Sequence, residues 1–213
     1  MQGISDVALI DALTERLRAS CRGYTKLWLE LLRLLGQGSA VEPGRLAEVM
    51  GMTEEALLEQ LKELPKIEYN ASGQVVAAGI SLLPTKHHFL VQGHELFTWC
   101  AFDSLAYPVI LQQPVQVASS CPITNEIIRL RVTPDGLKDV EPEGAYIAIA
   151  LPSANEMCSD IRTSFCNQTH FFTSEQAARQ WVQTHTNAVP LPVGEAYQIV
   201  RQVAWQVYFA QAI

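Results

Sequence analysis

Hydrophobic positions along the chain follow a helical period at first and change to a strand-like pattern after Pro65. Val7, Ile10, Leu13 and Leu17 recur at helical spacing and predict an amphipathic helix from Ile4 to Cys21. Arg22-Gly23 interrupts it. Leu27, Leu29, Leu31, Leu32, Leu34 and Leu35 crowd a second, strongly apolar helix that Gly36 and Gly38 end. Pro43 opens a short third helix carrying Leu46 and Met50, and Gly51 ends it. Thr53 caps a fourth helix that runs to about Leu64. Glu54 and Glu55 suit its N-terminal end, although Ala56 leaves the capping box incomplete. Beyond Pro65, Ile67-Glu68-Tyr69 and Gln74-Val75-Val76-Ala77 flank the polar turn Asn70-Ala71-Ser72-Gly73 and predict a hairpin. Helix, turn, helix and hairpin is the layout of a winged helix.

The remaining two thirds mix short apolar runs with turn signals. Strands are expected at His87 to Gln92, Val115 to Ala118, Ile127 to Val132, Tyr146 to Leu151 and Cys166 to Phe172. Turns separate several of them at Cys121-Pro122, Pro134-Asp135-Gly136 and Glu141-Pro142-Glu143-Gly144. Helices are expected from about Leu96 to Leu111, broken or bent near Pro108, at Ala154 to Arg162, from Ser174-Glu175 onward, and at Val193 to Ala210. Pro190-Leu191-Pro192 reads as a loop before the last of these. The fold class is α+β: a winged-helix-like helical region over residues 1–80, then a mixed or antiparallel sheet packed with helices over residues 81–213.

Composition narrows the function. Of 213 residues, 48% are hydrophobic and 17% charged, enough to bury a substantial core. No apolar run reaches the ~18 residues that span a bilayer, and the first residues lack the basic and apolar parts of a secretory signal. A cytoplasmic protein without a membrane partner is expected. The net charge is −7. Residues 1–80 hold 8 Lys/Arg against 11 Asp/Glu, a net of −3. The would-be recognition helix carries Glu54, Glu55, Glu59 and Glu63 against Lys62, so it repels phosphates, and nucleic acid is not the expected partner. The cysteines are Cys21, Cys100, Cys121, Cys158 and Cys166, an odd count that favours free thiols. No C-x-x-C pair is present to make a zinc ribbon or a thioredoxin-type site.

The candidate chemistry lies between Phe97 and Leu105. Cys100 and Asp103 are three residues apart, one turn of a helix, with Trp99 and Phe102 as apolar neighbours. Burial raises the pKa of a carboxyl, and a protonated Asp delivers a proton to a poor leaving group. Cys166, with Phe165 beside it and Arg162 four residues before, supplies a second thiol. Each cysteine taken alone reads equally as a small core hydrophobe. Cys121, before Pro122, reads as structural; Cys158 reads as solvent-facing and incidental, and Cys21, at a helix end, is given the same reading. His87 and His88 point to opposite faces of a strand and make no metal pair. His170 is expected to share a strand face with Cys166.

Phe97-Thr98-Trp99-Cys100-Ala101-Phe102-Asp103-Ser104-Leu105-Ala106-Tyr107-Pro108 resembles the active-site segment of the organomercurial (alkylmercury) lyases. The run from Asp160 to Phe172, through Ser164-Phe165-Cys166-Asn167, resembles the family's second segment, and the likeness extends from roughly Tyr24 to Tyr208. The resemblance implies that Cys100, Asp103 and Cys166 carry catalysis and hold mercury as substrate and product, with Cys121 structural. It implies protonolysis of a carbon–mercury bond, with no organic cofactor. Soft mercury(II) prefers thiolates. Cys100 takes R–Hg⁺ and passes its proton to Asp103, Cys166 adds as a second thiolate, and the departing carbon takes the proton back. The implied partners are an organomercury substrate, small thiols that remove bound Hg(II), and a mercuric reductase that receives it. Rival readings of the same residues are a non-catalytic thiol protein that sequesters mercury or copper, a metal-sensing winged-helix regulator, and a cysteine hydrolase using Cys100 and His170.

Overall fold

A computed structural model describes residues 6–210. Ile4, where the first helix is expected to begin, lies outside them. The helices at the front of the chain follow the hydrophobic period: α1 (Asp6–Cys21), α2 (Thr25–Leu35), α3 (Pro43–Met50) and α4 (Glu54–Glu63). Arg22 (φ 46°) and Gly23 (φ 85°) make the break after α1. Gly51 ends α3 in the left-handed region, and the Thr53 hydroxyl accepts from the Ala56 N–H as the N-cap of α4. The hairpin forms as β1 (Glu68–Tyr69) and β2 (Val75–Ala78), closed by Asn70, whose side chain accepts from the N–H groups of Ser72 and Gln74.

This hairpin is one edge of an eight-stranded antiparallel sheet. The other strands are β3 (Ile80–Ser81), β4 (His87–Val91), β5 (His94–Thr98), β6 (Val115–Ser120), β7 (Ile127–Thr133) and β8 (Gly136–Glu141), in the order β1-β2-β3-β5-β4-β6-β7-β8. The sheet therefore runs across residue 80, with Ile80 opposite Thr98. A second antiparallel sheet has β9 (Tyr146–Ala150) between β10 (His170–Phe172) and β11 (Ala188–Pro192). Between the sheets and α8 (Val193–Tyr208) lies α5 (Ala101–Leu111), buried from Ala101 to Ile110. A helix apolar all round belongs inside a core. The remaining helices are α6 (Ala154–Ser164), kinked at Asp160 (φ −155°, ψ 94°), and α7 (Glu175–Val182).

Four expectations are corrected. The helix starts at Ala101 rather than Leu96, because Gln92 (φ 51°) and Gly93 (φ 83°) form a two-residue turn that folds β5 back on β4. It is continuous through Pro108; the ring removes only the N–H that would bond the Ser104 carbonyl. Pro190-Leu191-Pro192 is strand, tolerated because β11 is an edge. Cys166 to Gln168 form a single 3₁₀ turn, and the strand begins only at His170.

Gly79 shows how tightly α5 is seated. It has φ +89°, and a Cβ there would lie 1.8 Å from the Tyr107 hydroxyl oxygen. Gly79→Ala is expected to destabilise the protein by about 3 kcal/mol through overpacking and left-handed strain, read as a lowered urea midpoint at unchanged slope.

Candidate active site

Cys100 ends the turn after β5 and is the N-cap of α5 (φ −151°, ψ 173°). Its carbonyl accepts from the Ser104 N–H (3.2 Å), the Ser104 hydroxyl (3.1 Å) and the Thr98 hydroxyl (3.1 Å), and the two hydroxyls lie 2.6 Å apart. The cysteine backbone is thus gripped from both sides. Asp103 occupies the third helical position, where the Cys100 backbone N–H favours the charged form of its carboxyl. Thiol at the N-cap and acid three residues on is the spacing of a capping box. Cys100 and Asp103 meet because a helix starts between them, not because both lie on its flank.

Cys166 arrives from the other sheet. The Asp160 carboxylate caps the last turn of α6 by accepting from the Thr163 N–H (3.1 Å), and the 3₁₀ turn follows. Thr169 locks that turn to the rest of the site. Its N–H bonds the Cys166 carbonyl (3.2 Å), its carbonyl accepts from the Ala101 N–H (3.2 Å), and its hydroxyl accepts from the Ala150 N–H (3.1 Å). Cys166 Sγ lies 3.9 Å from Asp103 Oδ2, and the ligand atoms of Cys100, Asp103 and Cys166 all fall within 4.8 Å of one another. All three residues are buried, at 0%, 7% and 2% exposure. Phe102 and Phe165 meet edge to face beside them (5.4 Å), and the Arg162 guanidinium lies 5.2 Å from the Trp99 ring while pairing with Glu68.

Burial dominates the electrostatics. It pushes the Asp103 carboxyl up to about 6, against hydrogen bonds from Cys100, Tyr107 and Cys166 that favour the charged form. Desolvation also holds the Cys100 thiol well above its ordinary value, with the Cys166 hydrogen bond and the Asp103 charge adding to it. The Cys166 thiol is raised by burial as well, partly offset by the Cys100 hydrogen bond and by Arg162. Both thiols rest protonated, beside a carboxylate able to take a proton. Tyr107, one turn beyond Asp103, is held neutral by burial and by the Asp103 charge, so its hydroxyl remains a donor. The helical spacing Asp103–Tyr107 was the available sequence signal for it.

The other cysteines and histidines separate from this cluster. Burial pushes the Cys121 thiol up, but hydrogen bonds from Thr124, Thr173 and Ile123 outweigh it and leave the thiol below its ordinary value. It sits in the turn after β6 and closes it by accepting from the Thr124 N–H (3.5 Å). Cys158 is half-buried. Cys21, expected to be solvent-facing, is only 4% exposed, because the end of α1 tucks against α8 and α6. His170 shares no strand face with Cys166. Its Nε2 meets the Asn167 carbonyl (2.9 Å) and its ring stacks on His87 (5.8 Å), which removes the histidine that a cysteine hydrolase would use. Desolvation depresses both imidazoles, His87 to about 3 and His170 to about 4.

Two thiols and a carboxyl, buried where two sheets converge on a helix, form a ligand cluster of the kind that suits a soft metal ion. Residues 80–204 match the family model for alkylmercury lyase, MerB. An alkylmercury lyase of Streptomyces lividans is 42% identical over 82% of this chain and 80% of its own length. One of Bacillus cereus is 39% identical over 84% and 82%, and one of Pseudomonas putida 33% over 85% and 84%. The crystal structure of the mercury-bound form of MerB2 shares the fold, with a TM-score of 0.77 at 22% identity over 92% of this chain and 99% of that one. The chain belongs to the alkylmercury lyase family.

Proposed function

We propose that the chain is an organomercurial lyase in which Cys100, Asp103 and Cys166 cleave the carbon–mercury bond by protonolysis. Membership of the family supports the reaction, and the convergence of the three ligand atoms within 4.8 Å supports these residues as its agents. Cys100 binds R–Hg⁺ and gives its proton to Asp103. Cys166 adds as a second thiolate, and its proton leaves to solvent, so that of the two thiol protons one goes to the carbon and one is released. Greater sulfur coordination puts electron density on mercury and weakens the carbon bond. The carbon leaves with carbanion character and takes a proton from Asp103, releasing R–H and leaving Hg(II) between the thiolates. Asp103 must accept a proton and return it within one turnover, so a carboxyl fits where a lysine or arginine would not. No organic cofactor takes part. External small thiols carry the Hg(II) away, to a mercuric reductase in the same cytoplasm.

The division at residue 80 assigns a covering role to the first part of the chain. Leu17 and Cys21 of α1 and Trp28 of α2 line a cavity of about 30 Å³ that also touches Asp103. Both thiols are at most 2% exposed, so substrate reaches them only when some of the structure around them moves.

The test is headspace gas chromatography on the reduced protein given methylmercury and excess small thiol. Methane beyond one equivalent per protein is expected. Mercury bound without methane overturns the lyase assignment in favour of sequestration.

A further inference from the structure

The two thiols of the proposed site stand on different parts of the fold, and one residue joins those parts. Cys100 is the N-cap of α5, beyond the larger sheet, whereas Cys166 lies in the 3₁₀ turn that leads into β10 of the smaller one. The ladder between β10 and β9 stops at His170, opposite Ala148. One residue earlier the chain leaves the sheet. The Thr169 carbonyl accepts from the Ala101 N–H at the start of α5, and the Thr169 N–H donates to the Cys166 carbonyl, both at 3.2 Å. Thr169 therefore bonds the neighbour of one thiol and the backbone of the other. Its hydroxyl stands in for the missing ladder bond by accepting from the Ala150 N–H at 3.1 Å. Thr169 and Ala150 are both buried, so solvent does not replace that bond when it is lost.

We propose that Thr169 is a positioning residue for the second-thiol step: its hydroxyl, anchored on β9, holds the peptide clasp that keeps Cys166 within reach of a mercury already bound to Cys100. The proposal deepens the lyase reading above and rests on it. Capture of R–Hg⁺ by the first thiol needs no partner. The second sulfur must meet a mercury whose place Cys100 has already set, and a misplacement of about 1 Å at such a step costs about 10²-fold. Thr169→Val keeps the size of the side chain but strands the buried Ala150 N–H. The segment satisfies that N–H only by moving back toward β9, which draws the residue 169 carbonyl from Ala101 and Cys166 from Cys100. Thr169→Ser keeps the hydroxyl. Ala101→Pro breaks the clasp from the other side by removing the N–H that Thr169 accepts. Position 101 is the first of α5, where proline is tolerated, and Cys100 before it already has the extended backbone that a residue preceding proline adopts.

The test is single-turnover kinetics on the full-length reduced protein with methylmercury, following uptake by mass spectrometry and cleavage by headspace methane. All proteins carry Cys158→Ser, which removes a half-exposed thiol outside the site. In Thr169→Val, uptake is expected within about twofold of the parent and methane release about 10- to 100-fold slower, while Thr169→Ser stays within about threefold of the parent in both. Ala101→Pro should behave as Thr169→Val does, and it reports where Thr169→Val fails to fold. Methane at the parental rate from Thr169→Val, uptake and methane falling by the same factor, or no recovery in Thr169→Ser would each overturn the positioning role. A parent that takes up methylmercury without methane would end the lyase reading instead. The clasp is then judged by X-ray absorption with one equivalent of mercuric chloride. Two sulfurs per mercury in the parent and one in Thr169→Val support it, and any other pair of values overturns it.

Discussion

Asp103→Asn is expected to remove hydrocarbon release, by about 10²–10⁴-fold, while Hg(II) still binds. The amide keeps the shape and hydrogen-bonding capacity of the carboxyl but cannot carry a proton. Cys100 and Cys166 remain on their separate supports, the N-cap of α5 and the 3₁₀ turn held by Thr169, so two sulfurs still converge. The parent should show a matching pH dependence. With Asp103 raised to about 6, it is mostly ionised at neutral pH and can take the Cys100 proton. Below about 6 it is already protonated, so kcat/KM is expected to fall roughly tenfold per pH unit. In the asparagine variant this acid limb should disappear from the residual rate. Stability moves the opposite way. The unfolded chain keeps the carboxyl near 3.8, so the folded form binds the extra proton more tightly. That contribution, roughly 3 kcal/mol, is fully present below about 4 and is lost as pH rises through about 6. Asp103→Asn should therefore melt higher than the parent at pH 8 and lose that advantage at pH 4. A variant that turned over at the parental rate would end the proton-shuttle role.

How far this could be read from sequence depended on whether the relevant forces are local. Helices α1 to α4 were legible because each buries one stripe and ends at a residue with a local reason to end it, such as Gly51 in the left-handed region. The C-x-x-D spacing and the apolar neighbours marked the site, Cys166 stood out as a second thiol beside an aromatic, and the family resemblance joined the two segments. The helical stretch before Ala101 was misread because Leu96, Phe97 and Trp99 look equally apolar in helix and strand. Only the left-handed pair Gln92-Gly93 decides for a hairpin. Strand β11 was hidden by its prolines, which an edge position permits. The turn at Cys166 depends on Thr169 bonding Ala101 and Ala150, contacts of long sequence separation that no local pattern reports.

The same limit applies to chemistry. That burial raises the Asp103 carboxyl is a general expectation for an acid among aromatics. That Tyr107 shares its cavity, and that Gly79 leaves room for the tyrosine hydroxyl, are tertiary facts. Cys21 is the sharpest case. At the end of an amphipathic helix it looked incidental, and only the packing of α1 on α6 and α8 turns it inward.

Cys166→Ser is expected to stop turnover, with a loss of about 10³-fold or more, as for groups that act as a unit. An alcohol is neither ionised near neutral pH nor a soft donor, so mercury would be held by Cys100 alone and its carbon bond would not be weakened. Folding should survive. Serine is close in size to cysteine, and its hydroxyl can donate to the Asp103 carboxylate that Cys166 Sγ now approaches at 3.9 Å. The variant should still take up one methylmercury per protein, retain the methyl group, and release the intact organomercurial to excess small thiol. Cys100→Ser should differ in kind, because the thiol proposed to take R–Hg⁺ first is gone and uptake itself becomes slow. Mass spectrometry of the methylmercury adduct separates the two variants, and headspace methane measures turnover in both. Methane from Cys166→Ser at the parental rate would mean that one sulfur suffices for protonolysis, and would leave Cys166 only the task of holding Hg(II) once the hydrocarbon has gone.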